Sequence, residues 1–579
     1  MDLGWVSTLI VFCMRHLLAL TLLAVSSAQA ADILPFPENR LREFYAEQAR
    51  QFLESDKPFP EVLPPFPGLD GGKFGHWGQN TEDNYYDHSL NEVDTGSLVS
   101  QVTSHFGKVT TKAVNVQVGD FTVLFDPEQL SFIDAWQGGF VEWHSRRFGL
   151  NNGITPHGKQ IAGIADSKWL IPGDSPTRYL GFYRSGEQVV FHYEIGEAMV
   201  YDHMREVDGE LLRTLTVDGV LPLGVKLVSS LSSITYNGDA KALALSPKPQ
   251  WDNKVAVTKG KLGTGDEPYV IDTLTIPYGN ENPFTSPFRV GGFDFLPDGR
   301  AAVCTIMGEV WLVDGIDSDL DELRWKRIAA GLNQALGLVV KDGKIVVLGR
   351  DQITRLHDLN GDDEADFYEC VTNEYPTNSG NSYACTLHQD DQGTLYWFTR
   401  SDKWGVTKLE EGGTPVSIAT GLRGTNGTGV SSDGAIVFST VQEGTWTPAS
   451  AIFEVEEESY HGFGGNEDGH GKYGYDLPLC FIPRGLDNSS GDIAFLPNDP
   501  RFGPLAGKMI GTSLGACQHY MILREVCEGK SQGGIVPLQG DFLSGSHRSR
   551  YNPHDGQFYV AGSAGWESYA QENGSLQRV

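Results

Sequence analysis

Positive charge is scarce in this 579-residue chain, where 44 Lys and Arg face 75 Asp and Glu for a formal net charge of −31. A surface of that sign gains nothing from a polyanion, which excludes nucleic acid and anionic membrane as expected partners. Long apolar runs are also missing: beyond the N-terminus none reaches about 18 residues, so no membrane span is expected. Cysteine is sparse, seven in all. No CxxC or CxxCH occurs, which leaves no covalent haem attachment and no zinc ribbon. Nucleotide fingerprints, Ser-His-Asp arrangements and paired-carboxylate motifs are likewise lacking.

The N-terminus has the features of a leader. Met14-Arg15-His16 supplies a cationic start, Leu17 to Val25 an apolar run, and Ala28-Gln29-Ala30 a small-residue cleavage site. Residues 1–30 are therefore expected to be a signal peptide and the product to be periplasmic or secreted. Removing them takes away Asp2 and Arg15 and leaves the net charge unchanged. Cys13 leaves with the leader, and the other six cysteines can pair in an oxidising compartment in a pattern the sequence does not fix. Within 31–58, Leu41, Phe44, Tyr45 and Phe52 fall at helical spacing and predict an amphipathic helix. A Pro- and Gly-rich lead-in containing His76-Trp77 opens a β-rich region over 59–250. There VNVQVGDFTVLF and YLGFYRSGEQVVFHYEIG alternate apolar and polar residues around Gly119-Asp120 and Ser185-Gly186. Both predict hairpins, and together they point to a β-sandwich.

From about residue 293 one pattern recurs: apolar alternation, a tight turn, a second apolar run. Its turns are Asp298-Gly299, Asp342-Gly343, Gln392-Gly393, Asp433-Gly434 and Asp555-Gly556, with a degenerate copy at IAFLPNDP, residues 493–500. One small sheet cannot bury both faces until neighbours cover them, so the six copies predict a six-bladed β-propeller over 265–579. The fold class is thus mainly β, a sandwich-like domain followed by the propeller. PYVIDTLTIP, residues 268–277, lacks a hairpin partner nearby and is the expected ring-closing strand. The chain stops inside a strand-like run, as a piece of a longer protein would.

Asp358, Asn360, Asp362, Asp366 and Glu369 stand at positions 1, 3, 5, 9 and 12 of an acidic loop, with Glu364 at position 7 offering its carbonyl. Hard oxygen ligands at that spacing predict calcium. Asp363 stands at position 6, where glycine usually makes the sharp turn. A solvated acidic loop is the alternative.

GLRGTNGTG, residues 421–429, followed by QEGTWTP, resembles the corresponding blade of soluble quinoprotein glucose and sorbosone dehydrogenases, six-bladed propellers that bind pyrroloquinoline quinone (PQQ). NSSGDIAF, GPLAGKMIGTSLG and RSRYNPHDGQFYVAGSAGW resemble later blades of large bacterial members. Residues 60–245 resemble an uncharacterised domain that precedes such propellers, often in proteins with a cytochrome c module. The resemblance implies a His that takes a sugar hydroxyl proton while hydride passes to the quinone, with Arg and Asn on the quinone oxygens. Arg423 matches the Arg, and Asn426 follows close by. Gly424 stands where Asn is expected, and Asn381 occupies the His position. Asn cannot act as a general base, and His388, seven residues on, is the substitute candidate beside a plain core role. Arg548 and Arg550 can face a quinone carboxylate or form interblade salt bridges, and Gln334 and Arg484 are further cofactor candidates. Trp446, Trp566 and Tyr569 can stack on a sugar or wedge blades.

Two functions follow. One is an exported quinoprotein-like oxidoreductase acting on a sugar-derived alcohol or aldehyde, with calcium and PQQ and a cytochrome c acceptor. The other is a non-catalytic propeller that binds glycans or proteins.

Overall fold

The computed structural model describes residue 91 and residues 93–579, apart from 145–152, 162–163, 165–166, 230, 232, 252, 267, 379, 381–382, 401–404, 443–448, 464–475, 484–485, 488, 541, 565–567 and 569. The leader, the helix expected over 31–58, and His76, Trp77, Asn381, Trp446, Arg484, Trp566 and Tyr569 lie outside the described residues.

Each recurring turn joins the first two strands of one sheet. Asp298-Gly299 lies between Val290–Phe295 and Ala301–Thr305, and Asp342-Gly343 between Gly337–Lys341 and Lys344–Leu348. Gln392-Gly393 follows Ala384–Gln389, Asp433-Gly434 follows Thr428–Val430, and Asp555-Gly556 follows Gly545–Asn552. At Asp342-Gly343 both residues have positive φ, +51° and +72°, the backbone that turns a two-residue hairpin without splaying its strands. The degenerate copy lies between Ser490–Phe495 and Met509–Ser513, where the connection lengthens to hold a 3-10 turn at Pro500–Leu505.

The six first strands lie side by side in chain order, and Val290–Phe295 closes the circle against Gly545–Asn552. Each leads a sheet of four or more strands, so the ring has six blades. The last blade takes its outermost strand from ahead of the first: Asp272 pairs with Arg578 and Thr273 with Gln577. Arg578 Nε donates to Asp272 Oδ2 at 2.8 Å. The closure lies within the segment the sequence marked, and it removes the open edge a ring cut at one point would carry.

Ahead of the ring, a sheet of Leu98–Ser100, Val114–Val118, Phe121–Asp126, Ser131–Gln137 and Lys159–Gln160 faces the meander Thr177–Ser185, Gln188–Ile195, Ala198–Val207 and Glu210–Asp218. Gly119 and Gly186 open the two-residue turns of both expected hairpins with φ of +59°. The Phe125 and Phe191 rings stack at 3.8 Å between the sheets. The meander does not end at its own edge: Thr177–Ser185 pairs with Phe367–Thr372, the outermost strand of blade 2, and makes one nine-stranded sheet. One core accordingly runs from Phe125 and Phe191 through Tyr368 to Leu338 and Val347 of the propeller. Burying each such aromatic or aliphatic side chain contributes about 1.5–3 kcal/mol, so the two parts stabilise one another. Cys304, Cys370, Cys385, Cys480 and Cys527 form no disulfide.

Candidate functional site at the propeller axis

The first strands crowd around the axis, and glycine is needed where they touch. A Cβ on Gly291 would lie 1.8 Å from Ala335 O, and one on Gly427 would lie 1.9 Å from the Gly491 carbonyl. Into this narrow space the strand Gly545–Asn552 sends Arg548, 1% exposed. Its Nε donates to Gly291 O at 2.9 Å and Leu336 O at 3.1 Å, and its Nη1 donates to Asn426 O at 2.7 Å. One guanidinium thereby bridges blades 1, 2 and 4.

Asp492, fully buried on the first strand of blade 5, is the counter-ion. Arg548 Nη1 stands 3.5 Å from its Oδ1 and Arg550 Nη1 3.3 Å from its Oδ2, while Thr386 Oγ1 donates to Oδ1 at 2.7 Å. Burial pushes the Asp492 pKa up, but Arg548, His388 and Arg550 outweigh it and hold the carboxyl below the usual carboxylate range. Arg550 also donates to Leu387 O at 2.7 Å. His388 Nε2 lies 3.5 Å from Asp492 Oδ2, too long for a strong hydrogen bond. Burial lowers its pKa, with Asp492 opposing.

For His388, Arg548 and Arg550 these contacts are those of the core and interblade salt-bridge readings. His388 is buried against Asp492 inside the ring and packs there as an interblade side chain. Arg548 and Arg550 hold Asp492 and interblade carbonyls together, so neither is offered to a quinone carboxylate. Asp492, which joins them, was missed from the sequence. Its signal was an acid in SGDIAF at a strand position where burial calls for an apolar residue.

Asn333 and Gln334 stand on the loop into the first strand of blade 2, and Arg423 and Asn426 on the loop into that of blade 4. Gln334, at φ +47°, accepts from Arg350 Nη1 at 3.2 Å. Arg350 Nη2 donates to Asn378 O at 2.6 Å and Gly380 O at 2.7 Å, and its guanidinium lies 5.4 Å from the Tyr383 ring centre. Burial brings the Arg350 pKa down to about 10. Asn333 accepts from Arg350 N through its carbonyl at 2.7 Å, yet both polar atoms of its buried side chain lack partners, as does Asn426 Nδ2. Arg423 is half-buried on the loop into blade 4, its carbonyl accepting from Gln442 N at 3.1 Å. Arg350 and Asn333 escaped the sequence reading because nothing in LNQALG or LGRDQ distinguishes them from ordinary loop residues.

The acidic loop joins Ile353–His357 to Phe367–Thr372 in blade 2. Asp363 adopts φ +58°, the left-handed turn expected at position 6. Asp358 Oδ1 accepts from Gly361 N at 2.6 Å and its Oδ2 from Asp363 N at 3.0 Å, while Asp366 Oδ2 accepts from Leu359 N at 2.8 Å. Burial raises the Asp366 pKa to about 6, with Asp362 and Asp358 adding to the rise. Glu369 turns elsewhere: His357 Nε2 stands 2.6 Å from it and Arg355 Nη1 3.3 Å. The loop therefore has the backbone of a calcium turn, with Asp358, Asn360, Asp362 and Asp366 along it and Glu369 engaged outside it. Among the described residues, no three His, Cys, Asp or Glu side chains are gathered to hold a metal ion.

Residues 123–202 match DUF6797, a domain of unknown function. No curated protein matches the chain in sequence. A putative oxidoreductase (glucose dehydrogenase) of Thermus thermophilus is 16% identical with a TM-score of 0.40, over 53% of this chain and 98% of its own. The PQQ-bound aldose sugar dehydrogenase of Streptomyces coelicolor is 12% identical with a TM-score of 0.40, over 55% and 98%. A gluconolactonase of Xanthomonas campestris is 12% identical with a TM-score of 0.35, over 57% and 98%.

Proposed function

We propose that this chain is an exported, sugar-related propeller of the oxidoreductase type, whose ligand meets the axial mouth at Asn333, Gln334, Arg350, Arg423 and Asn426. The observation that carries this reading is hydrogen-bonding capacity left unmet on the loops into blades 2 and 4, at both side-chain atoms of the buried Asn333 and at the enclosed Nδ2 of the half-buried Asn426. Buried polar groups without partners are costly, and a hydroxyl-rich ligand is one way to satisfy them. Export rests on the leader over residues 1–30, and a cytochrome c is the class of electron acceptor this reading implies. Calcium belongs to the same proposal, in the loop of Asp358, Asn360, Asp362 and Asp366, as a support for blade 2.

PQQ fits these residues poorly. The two cations assigned to its carboxylates are held by Asp492, and Arg423 is the matching residue left at the mouth. The same commitment of Arg548, Arg550 and His388 favours a second reading, a non-catalytic glycan- or protein-binding scaffold.

Titration of the chain from Ala31 onward with PQQ and calcium, followed by dye reduction on aldoses and uronic acids, separates the two. Saturable change in quinone absorbance with turnover supports the oxidoreductase. Sugar binding without turnover leaves the scaffold, and a folded protein that binds neither removes the axial mouth as a sugar site.

A further inference from the structure

Where the sandwich meets blade 1, two buried guanidiniums flank one indole. Arg327, on Leu323–Ala329, lies 3.3 Å from the Phe284 ring centre and 4.5 Å from that of Trp251. Arg184, at the end of Thr177–Ser185, stands 5.5 Å from the same Trp251 ring. Both are 1% exposed. Arg327 has a counter-ion: its Nη1 reaches Glu309 Oε1 at 3.0 Å, and Glu309 Oε2 accepts from Ser286 Oγ at 2.6 Å. Arg184 has none among the described residues. It makes a long bond to Ala330 O at 3.4 Å, touches the Tyr368 hydroxyl, and leaves its Nε without a partner. A buried cation unmatched by any carboxylate is costly, and this one lies directly beneath a cleft. Arg184 lines a cleft of about 400 Å³ with Trp251, Gln250, Lys254, Asp94 and Glu187.

We infer that this cleft binds the carboxylate of a hydroxylated acid, a sugar acid of the uronate type. Arg184 supplies a cation at the cleft floor, its Nη2 beside Gly96, and Lys254, exposed at the rim, adds a second cation. The exposed acids Asp94 and Glu187 accept from hydroxyl groups and repel a second negative charge, which selects a monocarboxylate with donors around it. The volume lies within the usual range for small-ligand sites, about 300–1,000 Å³. Gly96 keeps the floor open: a Cβ there would stand 3.1 Å from Arg184 Nη2 and 3.7 Å from Trp251 Nε1. The site is apart from the axial mouth and does not depend on what binds there.

The test titrates D-glucuronate into the chain from Ala31 onward, following heat and tryptophan emission, with D-glucose as the neutral control. Saturable binding of glucuronate is expected, weakened about tenfold by raising sodium chloride to about 0.5 M because the contact is ionic, whereas glucose bound at the axial mouth responds neither to salt nor to changes in the cleft. Arg184→Gln is expected to lose at least about tenfold in affinity, the scale of one charge-assisted hydrogen bond. Lys254→Gln alters an exposed side chain, so it reports on the cleft even where Arg184→Gln does not fold, and about threefold weakening is expected. The inference is overturned by no saturable signal up to about 10 mM, a ligand that weak having no recognition to explain. It is equally overturned by unchanged glucuronate affinity in Lys254→Gln, or by glucose binding that Lys254→Gln weakens to the same extent.

Discussion

Asp492 stands on a strand whose neighbours are buried, and two arginines from the next blade's first strand converge on it. Removing the single anion leaves Arg548 facing carbonyls alone, and breaking a buried pair from one side typically costs about 3–5 kcal/mol. Asp492→Asn is therefore expected to lower unfolding stability by about that amount, checked by urea unfolding of the variant beside the parent chain. Its pKa is depressed in the fold, so the stability it contributes is present above the ordinary carboxylate range and is lost as pH falls through the folded value. The arginines of RSRY were legible in the sequence as residues to single out, but their role was not. Which acid a long cation meets depends on how two strands 56 residues apart come to face one axis.

The acidic loop of blade 2 shows how far an element can be read from spacing. The left-handed turn at Asp363 follows from the local sequence, because Asp tolerates that region and the Asx-type bonds from Asp358 favour it. The exclusion of Glu369 does not follow, since His357 and Arg355 reach it only through strand pairing: Arg355 lies opposite Glu369 and His357 opposite Phe367. If calcium enters, Asp358 and Asp366 must exchange backbone N–H partners for the ion, which sets the affinity in the weak range of about 10⁻⁴ M. Calcium at about 1 mM is then expected to raise the melting temperature by about 2–4 °C through preferential binding to the native state. Asp362→Asn should abolish the shift in differential scanning calorimetry. An unaltered melting temperature in the parent chain would leave the loop a hydrogen-bonded turn and nothing more.

At the scale of the whole molecule, burial holds a set of histidines neutral. His192, His203, His461 and His519 are pushed down to about 4 and His547 to about 3. An unfolded chain protonates its histidines near pH 6.5 while this fold resists until near pH 4, so stability is full above about 6.5 and is lost between those limits. Asp351, raised by burial to about 7, and Asp366 work in the opposite direction and are outnumbered. A two-unit shift of one such histidine is worth about 3 kcal/mol, so the melting temperature is expected to fall by at least about 5 °C between pH 7 and pH 4 in calorimetric scans. What the sequence by itself determined is what rests on neighbours along the chain. That comprises the hairpins at Gly119, Gly186 and the Asp-Gly turns, the six-fold recurrence, and the closing segment at Asp272–Thr273, because turn geometry and strand alternation are local properties. Tertiary structure alone decided what lies between distant segments: the Asp492 cluster on the axis, the join of Thr177–Ser185 to Phe367–Thr372, and the unmatched Arg184 beside Trp251. Those contacts depend on which faces come together across the fold, and the period of a strand records only that a face is buried, not against what.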